Sequence, residues 1–225
     1  MNNSFINKIK KEYNKIFLVK IAIALIGVAF IGFGIAFNSA AMLGNDAVAI
    51  LYDGVRNACR LPQSGLGIIT NVVNYSLIII VVILNRRYIN IGTFIYTIPM
   101  GTFVGIGAKI YDYINFPFIL EWRILSAICG CSMIFIGLGI FIAIDIGLDP
   151  FTCIAMILRD KIKSQFRTAK IICDITSVTI GFSLGGKAGL VTAIAVFAGG
   201  PSIQFVSELF KKVVLVHLKI NKDKI

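Results

Sequence analysis

Asp149 and Pro150 interrupt the apolar run "IGLGIFIAIDIGLDPFTCIAMILRDKI", Ile136–Ile162, and Asp46 interrupts a looser copy of it, "IGFGIAFNSAAMLGNDAVAILYDGVRN", Ile31–Asn57. An acidic residue just ahead of a helix caps free backbone N–H groups, and proline at the first helical position loses no hydrogen bond. Both aspartates therefore predict helix starts. Inside a bilayer such starts have a second use, because they aim positive dipole ends at a cavity where a ligand or ion binds. An acidic cap partly neutralises that end, so a cation, a proton or a zwitterion suits the site better than an anion. Asp174 is the acid most deeply placed in an apolar segment, about seven residues into Thr168–Leu184. Ionisable groups at that depth point to function. Its structural alternative is an ion pair with Lys170, one turn earlier, the lysine snorkelling to the inner face. The related region of the first half carries Asn71 and Asn74, whose amides either bridge helices or coordinate a ligand. The candidate ligand- or ion-binding residues are thus Asp46, Asn71, Asn74, Asp149 and Asp174, and Gly44, Gly147 and Pro150 form the structural breaks.

Enzymatic chemistry finds no comparable set. The only histidine, His217, lies in the basic C-terminal tail, which leaves no partner for a Ser-His-Asp or histidine-metal centre. "GGKAG" has too few residues between its glycines for a phosphate-cradling loop. The five cysteines, Cys59, Cys129, Cys131, Cys153 and Cys173, are odd in number and lack paired metal-ligand spacing, so they read as small residues packed between helices. The expectation is a protein that is not an enzyme, with no cofactor and no metal.

The elements that must position these residues are membrane helices. Of the 225 residues 57% are apolar and 15% charged, and the mean hydropathy is +0.88, outside the soluble range. Ile16–Phe37, Gly65–Leu84, Ile91–Ala108, Ile124–Ile144 and Ala188–Val206 are each long enough for about 30 Å of hydrocarbon. Thr168–Leu184 is a shorter, more polar sixth span. The segments Asp46–Cys59 and Asp149–Ile162 are too short and too charged to cross and are expected to be re-entrant or interfacial. With the termini in the cytoplasm and six alternating spans, all basic residues but Arg56, Arg60, Lys109, Arg123 and Lys187 fall inside. The positive-inside rule thus explains the net charge of +11 without nucleic acid. The location expected is the bacterial inner, cytoplasmic membrane.

The chain also repeats itself. Gly32-Phe33-Gly34-Ile35 pairs with Gly137-Leu138-Gly139-Ile140, Gly44-Asn45-Asp46 with Gly147-Leu148-Asp149, and Arg56 with Arg159. The turn "NRRYINIGT", Asn85–Thr93, pairs with "LGGKAGLVT", Leu184–Thr192. Three spans per half is an odd number, so the halves are expected to be inverted. The fold class is all-α membrane: six transmembrane helices in two inverted three-helix repeats, each with a short re-entrant or interfacial helix. The boundaries are a basic N-terminus 1–15, a first repeat 16–110, a linker 111–120, a second repeat 121–210 and a basic tail 211–225. Gly101-x3-Gly105 and Gly181-x3-Gly185 are expected to flatten helix faces for packing, and Pro99 and Pro201 to kink their helices.

"GLGIFIAIDIGLDPFTCIAMIL", followed by the "GGKAGLVTA" turn and a terminal span, resembles the bacterial YitT/YczE group of multi-pass membrane proteins. The likeness runs from Ile16 to about Phe210 and is strongest in the second half; the first half departs from it in having no proline at Ala47. The resemblance implies architecture, with transport suspected in the group. The residues themselves point to a transporter of a small solute, its site near the bilayer midplane between the repeats. Two other readings stand beside it: the substrate-binding subunit of an energy-coupling-factor importer, which would use Ala36-x3-Ala40 for docking, and a non-transporting accessory or sensor protein. The partners expected are the lipid bilayer, an unidentified small solute, and either a second copy of the chain or another membrane protein.

Overall fold

The computed structural model describes residues 3–215. Eight α-helices follow one another: α1 (Asn3–Ala41), α2 (Ala47–Ala58), α3 (Leu66–Leu84), α4 (Ile91–Ile114), α5 (Leu120–Ile144), α6 (Pro150–Ile162), α7 (Phe166–Ser183) and α8 (Leu190–Phe210). Short 3-10 turns occupy Gln63–Gly65 and Arg86–Tyr88, a π turn covers Lys211–Leu215, and no strand occurs among the described residues. His217 and most of the basic tail lie outside them.

Among the described residues four helices are long and apolar enough to cross a membrane: Lys15–Ala41, Gln63–Leu84, Ile91–Ile114 and Leu120–Ile144. They make this a membrane protein, since they also turn apolar side chains outward. On α3 alone Ile68 is 65% exposed, Ile79 59% and Ile83 76%, a stripe that water would not tolerate at this size. The expectation of six such helices is met by four. One reason is plain in α7, which holds Arg167, Lys170 and Asp174 within 18 residues.

Local chemistry sets the ends of the elements. Asp46 caps α2 by accepting from the Val48 and Ala49 N–H groups, and Asp149 caps α6 by accepting from Phe151 and Thr152, with Pro150 at the first position. α1 gives way at Met42 and α5 at Asp145, both in the left-handed region at φ 53. Two residues later in each half Gly44 (φ 105) and Gly147 (φ 154) take positive φ that a side chain would strain. Two expected boundaries move. α1 begins within the segment assigned to a separate basic N-terminus, and α4 runs on to Ile114, into the expected linker, where the Tyr111 ring packs on Phe37 and Phe116. Gly185 lies beyond the end of α7, in a turn at φ 91, so Gly181-x3-Gly185 is not one helix face. Both α4 and α8 continue past their prolines.

Close glycine contacts define the packing. α1 and α5 run antiparallel and back to back: a Cβ on Gly34 would lie 2.6 Å from the Gly130 carbonyl, and one on Gly27 2.9 Å from that of Gly137. α4 runs parallel to α1, with Gly32 against Phe103 and Gly107 against Phe33 and Ala36. α8 runs parallel to α5, with Val206 and Ile203 against Gly139. α2 packs on α7 through Gly54 and Gly181, while α6 packs on α3 and α7. The pair α1–α4 within the first half thus answers to α5–α8 within the second, and α2–α7 answers to α6–α3, each joining the two halves.

Candidate functional site

The two breaks seat on each other's half. At the first, Thr192 Oγ1 accepts from the Asn45 N–H at 3.2 Å and the Leu43 carbonyl accepts from the Val191 N–H at 3.1 Å. At the second, Thr93 donates to the Leu148 carbonyl at 2.7 Å, and Gly147 lies against Asn90 and Gly92. Thr93 and Thr192 each stand third in their helix: Thr93 closes a capping box with Asn90, and Thr192 Oγ1 accepts from the Gly189 N–H at 3.2 Å. The first break therefore rests on the start of α8, and the second on the start of α4. These are the residues that the internal repeat pairs with one another.

That seating brings the starts of α2 and α6 together. Val48, near the start of α2, packs on the cluster of Phe151, Ala155 and Cys173, to which the start of α6 contributes. Lys170, which pairs with Asp174, stands over the Phe151 ring of that cluster, and Tyr52 of α2 bonds to Asn74 of α3. Four expected site residues, Asp46, Asp149, Asp174 and Asn74, thus gather around the two helix starts. Asn74 is 1% exposed and accepts from Tyr52 Oη at 2.9 Å. Its Nδ2 is buried without a partner. In the antiparallel register that sets Asn71 against Gly101, Asn74 lies at the level of Thr97, whose hydroxyl is also buried and unpartnered. A buried donor without a partner costs roughly 1–3 kcal/mol, so these atoms call for a partner that the chain itself does not supply.

Other expected residues have structural partners. Asn71 is a bridge, accepting from the Gly101 N–H at 3.0 Å. Asp174 pairs with Lys170. The Lys170 Nζ sits 5.2 Å from the centre of the Phe151 ring. The cation–π contact and the carboxylate hold it beside the second break. The carboxylates at the breaks are occupied as caps, Asp149 accepting in addition from the Thr152 hydroxyl. Among the described residues no group of three or more metal-binding side chains occurs.

Polar groups that the sequence reading passed over form two further clusters. At the ends of α1 and α2, Asp53 (7% exposed) accepts from Ser39 and pairs with Arg56 Nε at 3.4 Å, and Arg56 Nη1 donates to the Leu61 carbonyl at 3.0 Å. Around it lies a cavity of about 230 Å³. At the opposite end of α3, about 28 Å away at 1.5 Å per residue, Tyr88 donates to Asp160, which also pairs with Arg159 at 2.6 Å. The Tyr88 hydrogen bond and then Arg159 hold the Asp160 carboxyl below the usual range, and the same bond raises Tyr88. The repeat partners Arg56 and Arg159 thus end the two short helices in alike ion pairs. The signal available in sequence was Arg56 and Arg159 themselves. Tyr52, Thr97 and Ser39 had none.

A family described as "Family of unknown function (DUF6198)" matches residues 18–208. The chain belongs to that family. The DUF6198 match runs from α1 into α8 and spans both breaks. No curated protein matches the chain, and no solved structure does.

Proposed function

We propose that this chain binds a small polar solute at the meeting of the α2 and α6 starts and carries it across the membrane. In this reading α1, α3 and α4 form one three-span repeat and α5, α7 and α8 its inverted copy, with α2 and α6 re-entrant and the termini cytoplasmic. The reciprocal seating of the breaks supports the inversion, and the antiparallel α1–α5 pair agrees with it. The observation that carries the binding site is the pair of buried, unpartnered atoms, Asn74 Nδ2 and Thr97 Oγ1, at the level of the helix starts. One donor and one hydroxyl between two acidic caps suit a neutral or zwitterionic solute with its own acceptor. The resemblance to the YitT/YczE group is part of this proposal and agrees with it in architecture. A non-enzymatic role follows from the same reading.

The test screens the purified chain by thermal shift against amino acids, sugars and nucleobases, then measures the responding solute on variants and in proteoliposomes. Thr97→Val and Asp149→Asn should keep the parent melting temperature, since asparagine caps nearly as well as aspartate, and should weaken solute binding. A solute bound equally by parent and both variants would remove the site from this position. Binding without flux favours the sensor reading, and co-purification of an ATPase the importer subunit.

A further inference from the structure

The cavity at the ends of α1 and α2 shares no lining residue with the central site. It is lined by Asn38, Ser39 and Met42 of α1 and its turn, Asp53, Arg56 and Asn57 of α2, Gln63 of the following turn and Lys187 of the α7–α8 turn. Its volume of about 230 Å³ would hold roughly seven or eight waters at about 30 Å³ each, the room of a compact solute. We propose that this cavity binds the carboxylate of a small solute, held between Arg56, Gln63 and Lys187.

Three residues offer donors there: Gln63 Nε2, Lys187 Nζ and the unused part of the Arg56 fork. Lys187 Nζ contacts only the Met42 thioether, at 3.4 Å, and forms no ion pair among the described residues. Gln63 Nε2 is buried with no partner. Arg56 uses Nε and Nη1 on Asp53 and the Leu61 carbonyl, which leaves part of its five-donor fork available. The charges lining the cavity are Asp53, Arg56 and Lys187, a balance of one positive charge, and a single carboxylate neutralises it. A doubly charged anion would meet Asp53 with a charge to spare. A zwitterion satisfies both signs, with its ammonium near the carboxylate of Asp53. The cavity is thus complementary to the same class of solute as the central site, yet its residues are separate, so the two can fail independently.

The experiment follows thermal unfolding of the purified full chain against sodium acetate, glycine and methylammonium chloride at matched ionic strength. Acetate or glycine should raise the midpoint with concentration up to about 100 mM, in the millimolar range that a few polar contacts support, and methylammonium should not. Lys187→Gln, at an exposed turn, should leave the unliganded midpoint alone and weaken the apparent affinity about tenfold or more, the loss of one charge-assisted contact. Lys187→Arg should retain it. No response in the parent, a response to methylammonium alone, or an equal response in Lys187→Gln overturns the proposal. Thr97→Val should leave the acetate or glycine response unchanged, which separates this site from the central one; loss of the response in that variant would place the binding at the centre and also overturn it.

Discussion

Asn74 shows how one buried amide ties structure to binding. Its oxygen is satisfied by Tyr52 and its nitrogen is not. Tyr52→Phe would strip the amide of its last partner and should destabilise the chain by about 1–3 kcal/mol, read as a fall in denaturation midpoint. Thr97→Val removes an already unpartnered hydroxyl and should be neutral or slightly stabilising without solute. Asp149→Ala should lose about 1 kcal/mol of capping, whereas Asp149→Asn should not. Asp160 responds to pH with a definite sign. Its folded value is depressed, so its contribution is complete above the ordinary aspartate range near about 4 and is lost as pH falls through the lower folded value. The difference in midpoint between parent and Asp160→Asn should therefore be present at neutral pH and shrink on acidification below about 4.

Each break is built from two elements that are far apart in sequence. Gly44 needs positive φ, and a Cβ there would approach the Gly189 nitrogen to 2.5 Å; a Cβ on Gly147 would strike the Asn90 carboxamide. Gly44→Ala and Gly147→Ala should each cost at least about 1–3 kcal/mol from backbone strain alone, and collision with the opposing helix start adds to it. Gly200 is the counter-case, with no atom within 4 Å of its would-be Cβ. Gly200→Ala in α8 should stabilise by roughly 0.5–1 kcal/mol, the helical preference for alanine. Melting curves of the three variants test the account directly. Equal effects at Gly44, Gly147 and Gly200 would contradict it.

Across the whole molecule, α3 carries the chain from the Asp53 cluster to the Asp160 cluster, and its length matches the hydrocarbon thickness. The proposed orientation places Arg87 in the cytoplasm and Tyr113, 91% exposed in the last turn of α4, outside. With the exposed Cys59 and Cys129 changed to serine, an impermeant maleimide should label Tyr113→Cys in intact cells and Arg87→Cys only after permeabilisation. The reverse pattern would invert the orientation, and labelling of both from outside would break the alternation that the inverted-repeat proposal requires.

What the sequence determined by itself is local. Hydropathy over a helix length, an aspartate before an apolar run and a glycine after one are each written within a few residues, so the helices, the short interruptions and the caps of α2 and α6 could be read directly. Repetition of those local signals also revealed the two halves. Tertiary structure decided which half each break rests on, because the contacts of Leu43 with Val191 and of Thr93 with Leu148 join residues that no local pattern relates. It extended α4 past its apolar window, where packing of Tyr111 on Phe37 outweighs the polar residues of the last turn. It set Lys170 between Phe151 and Asp174, and it gave Tyr52 and Thr97 a place that their residue types do not announce. The cavity between Arg56, Gln63 and Lys187 belongs wholly to this level: its donors come from segments brought together only when α7 packs on α2.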